Sequence, residues 1–199
     1  MWKPYLKVVA RHCTNALNIL GRFHAVAKMN LAIDEVRAGE ARRLVQDGYE
    51  PVLKKSRLCL LKRPGNLTDK QRIKLRDVLR YNLKSVRAYL LKEEFQQLWE
   101  YNSPAWAGKF LDQWCKRVMR LRIEPMKEFV RTVRSHRELL LNYFRAKKAF
   151  SSGVVEGLNN KAKVTMRKAY GFRTFRITEI SLYHALGKLP EPKLTHSFY

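Results

Sequence analysis

Apolar residues along this chain recur mostly at intervals of three and four, the spacing of one helical face rather than of a strand. Met29, Ala32, Ile33, Val36 and Leu44 share such a face, while Lys28, Asp34, Glu35, Arg37 and Arg42 lie off it. The pattern predicts a long amphipathic helix from about Phe23 to near Gly48. Asn66-Leu67-Thr68-Asp69 offers an N-cap before a helix striped by Ile73, Leu75, Val78 and Leu79. The next carries Val86, Leu90, Leu91, Phe95, Leu98 and Trp99. Ser103-Pro104 then sets a cap and a first-turn proline before Trp106, Phe110, Trp114 and Val118. Glu124-Pro125 opens a helix holding Met126, Phe129, Val130, Val133, Leu140, Leu141 and Phe144. Residues 25–145 thus predict four or five packed helices. Ahead of them, residues 5–11 predict a short helix and residues 15–20 a short strand. The run Leu58-Cys59-Leu60-Leu61, between Pro51 and Pro64, fits a strand, an extended loop or a short helix. Residues 154–169 read as a helix closed by Tyr170-Gly171, and residues 178–186 as a last helix before a loose end containing Pro190 and Pro192.

Composition narrows what such helices do. The 199 residues are 46% hydrophobic, too apolar for a disordered basic tail, so they bury a core within one domain, or one domain with a large insertion. Lys and Arg break nearly every apolar run, leaving no window near the ~18 residues of a membrane span. The first residues have no apolar stretch with a cleavage site behind it, which argues against a secretory signal. Cys13, Cys59 and Cys115 are odd in number and lack zinc-ligand spacing, which fits a reducing cytoplasm. With 41 Lys and Arg against 17 Asp and Glu, the formal charge is +24, and self-repulsion of that size calls for a polyanionic partner. Nucleic acid comes first and an anionic membrane surface second. No RNA-binding motif supports an RNA-specific reading.

The charge has a centre. Residues 145–176 hold nine Lys and Arg against one acid, Glu156. On a helix, Glu156, Asn160, Lys163 and Arg167 share a face, and Val155, Leu158, Ala162, Met166 and Ala169 form a separate apolar stripe. By spacing alone, an acid in a first turn is explained by the helix dipole. A lone His24 at a helix start is likewise a capping or packing residue, and the tryptophans of residues 25–145 read as core anchors. His12, His136, His184 and His196 are scattered.

These segments also carry a resemblance. The string Leu-Gly-Arg-Phe-His-Ala-Val-Ala-Lys-Met-Asn over 20–30, the segment from Leu61-Lys62-Arg63 to Asn66-Leu67-Thr68, Ala88-Tyr89-Leu90-Leu91-Lys92-Glu93 and Asn142-Tyr143-Phe144 contribute to it. Most specific is Gly153-Val-Val-Glu-Gly-Leu-Asn-Asn-Lys161 followed by Tyr170-Gly171-Phe172-Arg173. Together they resemble the DDE domain of bacterial insertion-sequence transposases of the ISL-three family. The resemblance implies an RNase H-like catalytic core in which two aspartates and one glutamate hold two Mg²⁺ ions for in-line phosphodiester displacement. Glu156 matches the family's glutamate, which makes it a catalytic residue and metal ligand in place of the helix-dipole role. His24 is retained from the family's Asp-x-Phe-His element and is the second catalytic candidate. Asn159, Asn160 and Lys161 would flank the acid and position DNA, with Lys163, Arg167, Lys168 and Arg173 on phosphates.

The departures matter equally. The family's first aspartate lies far upstream, and its second falls just before the segment resembled by Met1-Trp2-Lys3-Pro4-Tyr5. Gly21 stands where an aspartate is usual. One acid of three is left, too few for two Mg²⁺ ions, and Asp34, Glu35 and Glu40 belong to a surface-type helix. The expected fold is mainly α: the C-terminal part of an RNase H-like DDE domain, with a large all-helical insertion and one or two short strands. Residues 1–24 would be the remnant of the core, 25–145 the insertion, 146–187 the glutamate helix and basic DNA-binding region, and 188–199 a loose tail. The chain is expected to be a cytoplasmic transposase piece, left by truncation or an internal start at Met1. It would bind insertion-sequence ends without transposing alone, or regulate a full-length transposase or assemble with its own copies.

Overall fold

Helical spacing is carried through to helices in the computed structural model, which describes residues 3–149, 153–168 and 170–187. The elements are α1 (Lys3–His12), α2 (Arg22–Gln46), α3 (Arg57–Leu61), α4 (Asp69–Leu79), α5 (Lys84–Gln96), α6 (Pro104–Arg120), α7 (Glu124–Ser135), α8 (Arg137–Arg145), α9 (Gly153–Lys168) and α10 (Phe175–Leu186). They fall into two units, Met1–Phe150 and Ser151–Tyr199. Among the described residues there is no strand.

In the first unit α2 is the central element, packing on α3, α5 and α7 through Ala25, Met29, Ala32, Ile33 and Val36. It stops where the sequence predicts, with Gly48 at φ +74°, a conformation glycine adopts without steric cost. Against it lies an aromatic core. The ring of Phe95 is 4.9 Å from Trp114 and 5.5 Å from Phe129, and Trp99 stacks on Phe144 at 6.1 Å. Burying side chains of this size contributes about 1.5–3 kcal/mol each. Two of the three tryptophans of this unit's core region are anchors as expected, but Trp106 is 60% exposed, with Lys109 Nζ 5.1 Å above its ring. Ile73 and Leu90, placed on buried stripes by spacing, are also exposed. At Gly108 an added Cβ would stand 2.8 Å from the Arg137 guanidinium and 3.4 Å from Leu141, so this glycine sets how closely α6 and α8 approach.

The helix ends show which sequence signals operate. Thr68 and Gln71 form the capping box of α4, with Gln71 N–H donating to Thr68 Oγ1 at 3.4 Å and Thr68 N–H to Gln71 Oε1 at 3.2 Å. Pro104 occupies the first turn of α6, but Ser103 makes no capping hydrogen bond. The predicted helix beyond Pro125 is two helices, broken at His136. There Ser135 Oγ and His136 Nδ1 both lie 2.9 Å from Thr132 O, and His136 N–H turns to Val133 O instead. Side chains that compete for a backbone acceptor interrupt helices in this way.

Helix α5 begins after Leu83, which has no capping group. Its cap comes from α2. Glu40 accepts from Lys84 N–H and Ser85 N–H, both at 2.8 Å, and from Ser85 Oγ–H at 2.6 Å. Glu40→Ala should therefore destabilise the unit by about 2–3 kcal/mol, more than an ordinary cap, because a charged acceptor and three donors lose each other at once. Urea denaturation checks this, and a midpoint within error of the wild type would show that the cap is dispensable.

Two expectations about irregular segments resolve differently. Residues 15–20 form no strand: Leu20 N–H donates to Leu139 O at 2.9 Å and Asn18 O accepts from Asn142 Nδ2 at 2.8 Å, so α8 takes the place of a partner strand. The undecided run 58–61 is in α3. Its C-terminal carbonyls are gathered by Lys92, 3% exposed, whose Nζ lies 2.7 Å from Leu60 O and 3.2 Å from Lys62 O and pairs with Glu93 at 3.0 Å. Burial lowers the Lys92 pKa, and Glu93 opposes the shift.

The second unit is α9 packed on α10. Tyr170 at φ +50° and Gly171 at φ +95° end α9 as predicted. Helix α10 starts three residues earlier than its apolar pattern indicates, because Thr174 Oγ1 caps it by accepting from Ile177 N–H at 3.3 Å. No described side chain of this unit is buried, and Phe175 and Tyr183 are 82% and 64% exposed. The loose tail expected at 188–199 lies outside the described residues. No described helix is long and apolar enough to cross a membrane.

Candidate nucleic-acid interface

Seven predicted DNA contacts share one short stretch of chain. Asn159, Asn160, Lys161, Lys163, Arg167 and Lys168 project from α9, Arg173 follows the turn at Gly171, and all seven are exposed. The ion pairs of the described residues lie between Asp34 and Arg145, away from this stretch in sequence. Amides interleaved with cations on an exposed helix are the residue types that hydrogen-bond and neutralise phosphates. The backbone of Glu156 lies in the first turn of α9, and its side chain falls outside the described set.

His24 belongs to the first unit, in the opening turn of α2. It is exposed, 6.0 Å edge-on from Phe23, and it lines a cleft of about 150 Å³ with Lys28, Thr132 and His136.

The sequence reading passed over a second basic constellation. Arg22, Val26 and Asn30, one helical face of α2, wall a cleft of about 200 Å³ together with Leu61, Arg63, Lys92, Glu93 and Gln96. The Arg22 guanidinium lies 5.7 Å above the Trp99 ring, which in turn contacts Tyr143 and Phe144. Four of the segments that carry the resemblance, 20–30, 61–68, 88–93 and 142–144, therefore meet around one point. The interval of four between positions 22, 26 and 30 is the sequence signal that could have found it.

The sequence profile of the ISL3 family of DDE transposases, described as "Transposase", matches residues 1–181. This chain belongs to that family. It is 31% identical to the transposase for insertion sequence element IS1001 of Bordetella parapertussis, over 87% of this chain and 43% of that protein. It is 28% identical to the transposase for insertion sequence element IS1557 of Mycobacterium tuberculosis, over 84% of this chain and 42% of the relative. The ISL3-family chain thus spans less than half the length of these relatives. No solved structure matches it.

DDE transposases generally use divalent metals, so the donor set of this family member bears on its chemistry. Among the described residues no three His, Cys, Asp or Glu side chains converge. Several acids of the helical unit are engaged elsewhere. Asp34 accepts from Arg37 at 2.8 Å and Arg57 at 2.7 Å. Burial pushes its carboxyl up, but these hydrogen bonds outweigh burial and hold it below its ordinary value. Asp112 takes a two-pronged contact from Arg137 at 3.0 and 2.9 Å, and Glu138 bridges Arg137 and Arg145. Glu40 is the cap of α5. The described donors of this ISL3-family chain do not fit a pair of Mg²⁺ ions, which need several carboxylates free of such partners.

Proposed function

We propose that these 199 residues act as a DNA-binding portion of an ISL3-family transposase and by themselves neither cleave nor join insertion-sequence ends. The observation that carries this reading is the exposed series Asn159, Asn160, Lys161, Lys163, Arg167, Lys168 and Arg173 beside Glu156 in α9, within the segment matched by the family. In this reading Glu156 is one metal-ligating carboxylate of an RNase H-like site, His24 a further catalytic residue, and residues 25–145 the helical insertion. Residues 1–24 belong to the core. The described acids do not complete the metal site, which supports inactivity of the chain alone. Cys13, Cys59 and Cys115 are free thiols, in keeping with the cytoplasm as the working compartment.

A second reading, as a regulator that pairs with a full-length transposase or with its own copies, is favoured by α10. Its Phe175, Ile177, Ile180 and Tyr183 are large apolar residues left exposed, the residue type that an interaction partner covers. Two assays test these readings. Purified protein incubated with insertion-sequence ends and Mg²⁺ or Mn²⁺ is expected to bind without nicking or strand joining. Cleavage that disappears in Glu156→Gln would refute the inactive reading. Excess chain added to an active relative should lower its transposition, and unchanged transposition removes the regulator.

A further inference from the structure

We infer that the cleft walled by Arg22, Asn30, Arg63 and Gln96 is a phosphate-binding site of the helical unit. Its walls hold three cations, Arg22, Arg63 and Lys92, against one carboxylate, Glu93, and that carboxylate is committed to Lys92 at 3.0 Å. Lys92 is itself committed, its ammonium filled by the α3 carbonyls. Among the described residues neither arginine forms an ion pair, although Glu100, outside the cleft wall, acts on Arg22 from a distance. Arg22 donates only to the neutral Gln96 Oε1, at 3.3 Å, and its Nε is buried without a partner. Asn30 Oδ1 is buried and unpartnered too.

Unpartnered buried donors are costly, and two guanidiniums facing one cavity repel each other. Burial, and then Arg63, lowers the Arg22 pKa. A tetrahedral anion between the two arginines would relieve their repulsion, accepting from the Arg22 and Arg63 guanidinium groups that line the cleft, the pairing for which guanidinium geometry is suited. The cavity of about 200 Å³ has room for one phosphate group and not for a nucleoside stacked within it. The source of that phosphate is either a DNA phosphodiester or a free phosphate, and only the first depends on the DNA-binding reading above.

The test uses the intact chain, Arg63→Gln and, as a charge control, Lys116→Gln. Arg63 and Lys116 are both exposed, so neither substitution should disturb folding. Each protein is titrated with inorganic phosphate at fixed ionic strength while Tm is followed. At phosphate about tenfold above its Kd, Tm of the wild type and of Lys116→Gln should rise by roughly 3–6 °C, and that of Arg63→Gln by less than half as much. Equal rises in all three proteins overturn the site. In a second arm, duplex DNA binding is measured across salt concentrations. A slope of log K against log salt that is shallower by about 0.9 in Arg63→Gln than in Lys116→Gln assigns the cleft to a DNA phosphate. An unchanged slope beside a lost phosphate response assigns it to free phosphate. Absence of DNA binding in all three would count against the α9 reading while the Tm arm still reports on the cleft.

Discussion

Trp114→Ala is expected to destabilise the helical unit by about 3–5 kcal/mol, the range for deleting a fully buried aromatic side chain. The indole is 0% exposed, lies against Phe95 and Phe129, and its Nε1–H donates to Leu91 O at 3.1 Å. Alanine would leave a cavity that helices α5, α6 and α7 cannot close without moving their backbones, and it would remove the second hydrogen bond to the Leu91 carbonyl, which keeps its bond within α5. Against a total stability of about 5–15 kcal/mol, that is a large fraction. Trp106→Ala supplies the contrast. Its ring is 60% exposed and meets Lys109, so its loss should stay within about 0.5–1 kcal/mol. Urea unfolding followed by circular dichroism separates the two. Equal losses, or a loss below 1 kcal/mol at Trp114, would mean that the core is not packed around this residue.

The largest effect on binding should come from α9. Replacing Lys161, Lys163, Arg167 and Lys168 together by glutamine removes four phosphate contacts in the proposed complex. Each contact contributes about 0.9 to the slope of log K against log salt, so the variant's slope should be shallower by about 3.6. Between 50 and 200 mM salt that difference amounts to roughly 100-fold in relative affinity. Glutamine is a good helix former and all four positions are exposed, so the helix should survive. Fluorescence anisotropy with duplex DNA reads the result. An unchanged slope would place the phosphate contacts elsewhere in the protein.

Local signals in the sequence were legible where one element suffices to satisfy them. The face of Met29, Ala32, Ile33 and Val36, the Thr68 cap, the stop at Gly48 and the turn at Tyr170-Gly171 all depend on neighbours within a few residues. What the periodicity could not show depends on partners far along the chain. The segment at 15–20 has strand-like composition, yet its hydrogen bonds go to Leu139 and Asn142. Ile73 and Trp106 sit on apolar stripes, but no helix packs over the edges of those stripes where they lie. The break at His136 turns on a contest for one carbonyl, a matter of geometry that spacing cannot report.

The candidate site divides in the same manner. The α9 series was legible because it is consecutive in the sequence and extreme in charge. The Arg22 and Arg63 cleft was not, since 41 Lys and Arg give no reason to single out two of them. Only the fold shows which cations lack an acid and which have one.

The carboxylate clamp on α5 bears on how the helices come to exist at all. The first two amides of that helix are held from a distance of 44 and 45 residues in sequence. Starting a helix is its least favourable step, and here the group that eases the start arrives only after α2 has formed and docked. The two helices therefore gain order together. Protection of the Lys84 and Ser85 amides against deuterium exchange is tied to that joint opening, so a turn at the very end of a helix, where fraying is the rule, becomes a reporter of cooperative unfolding.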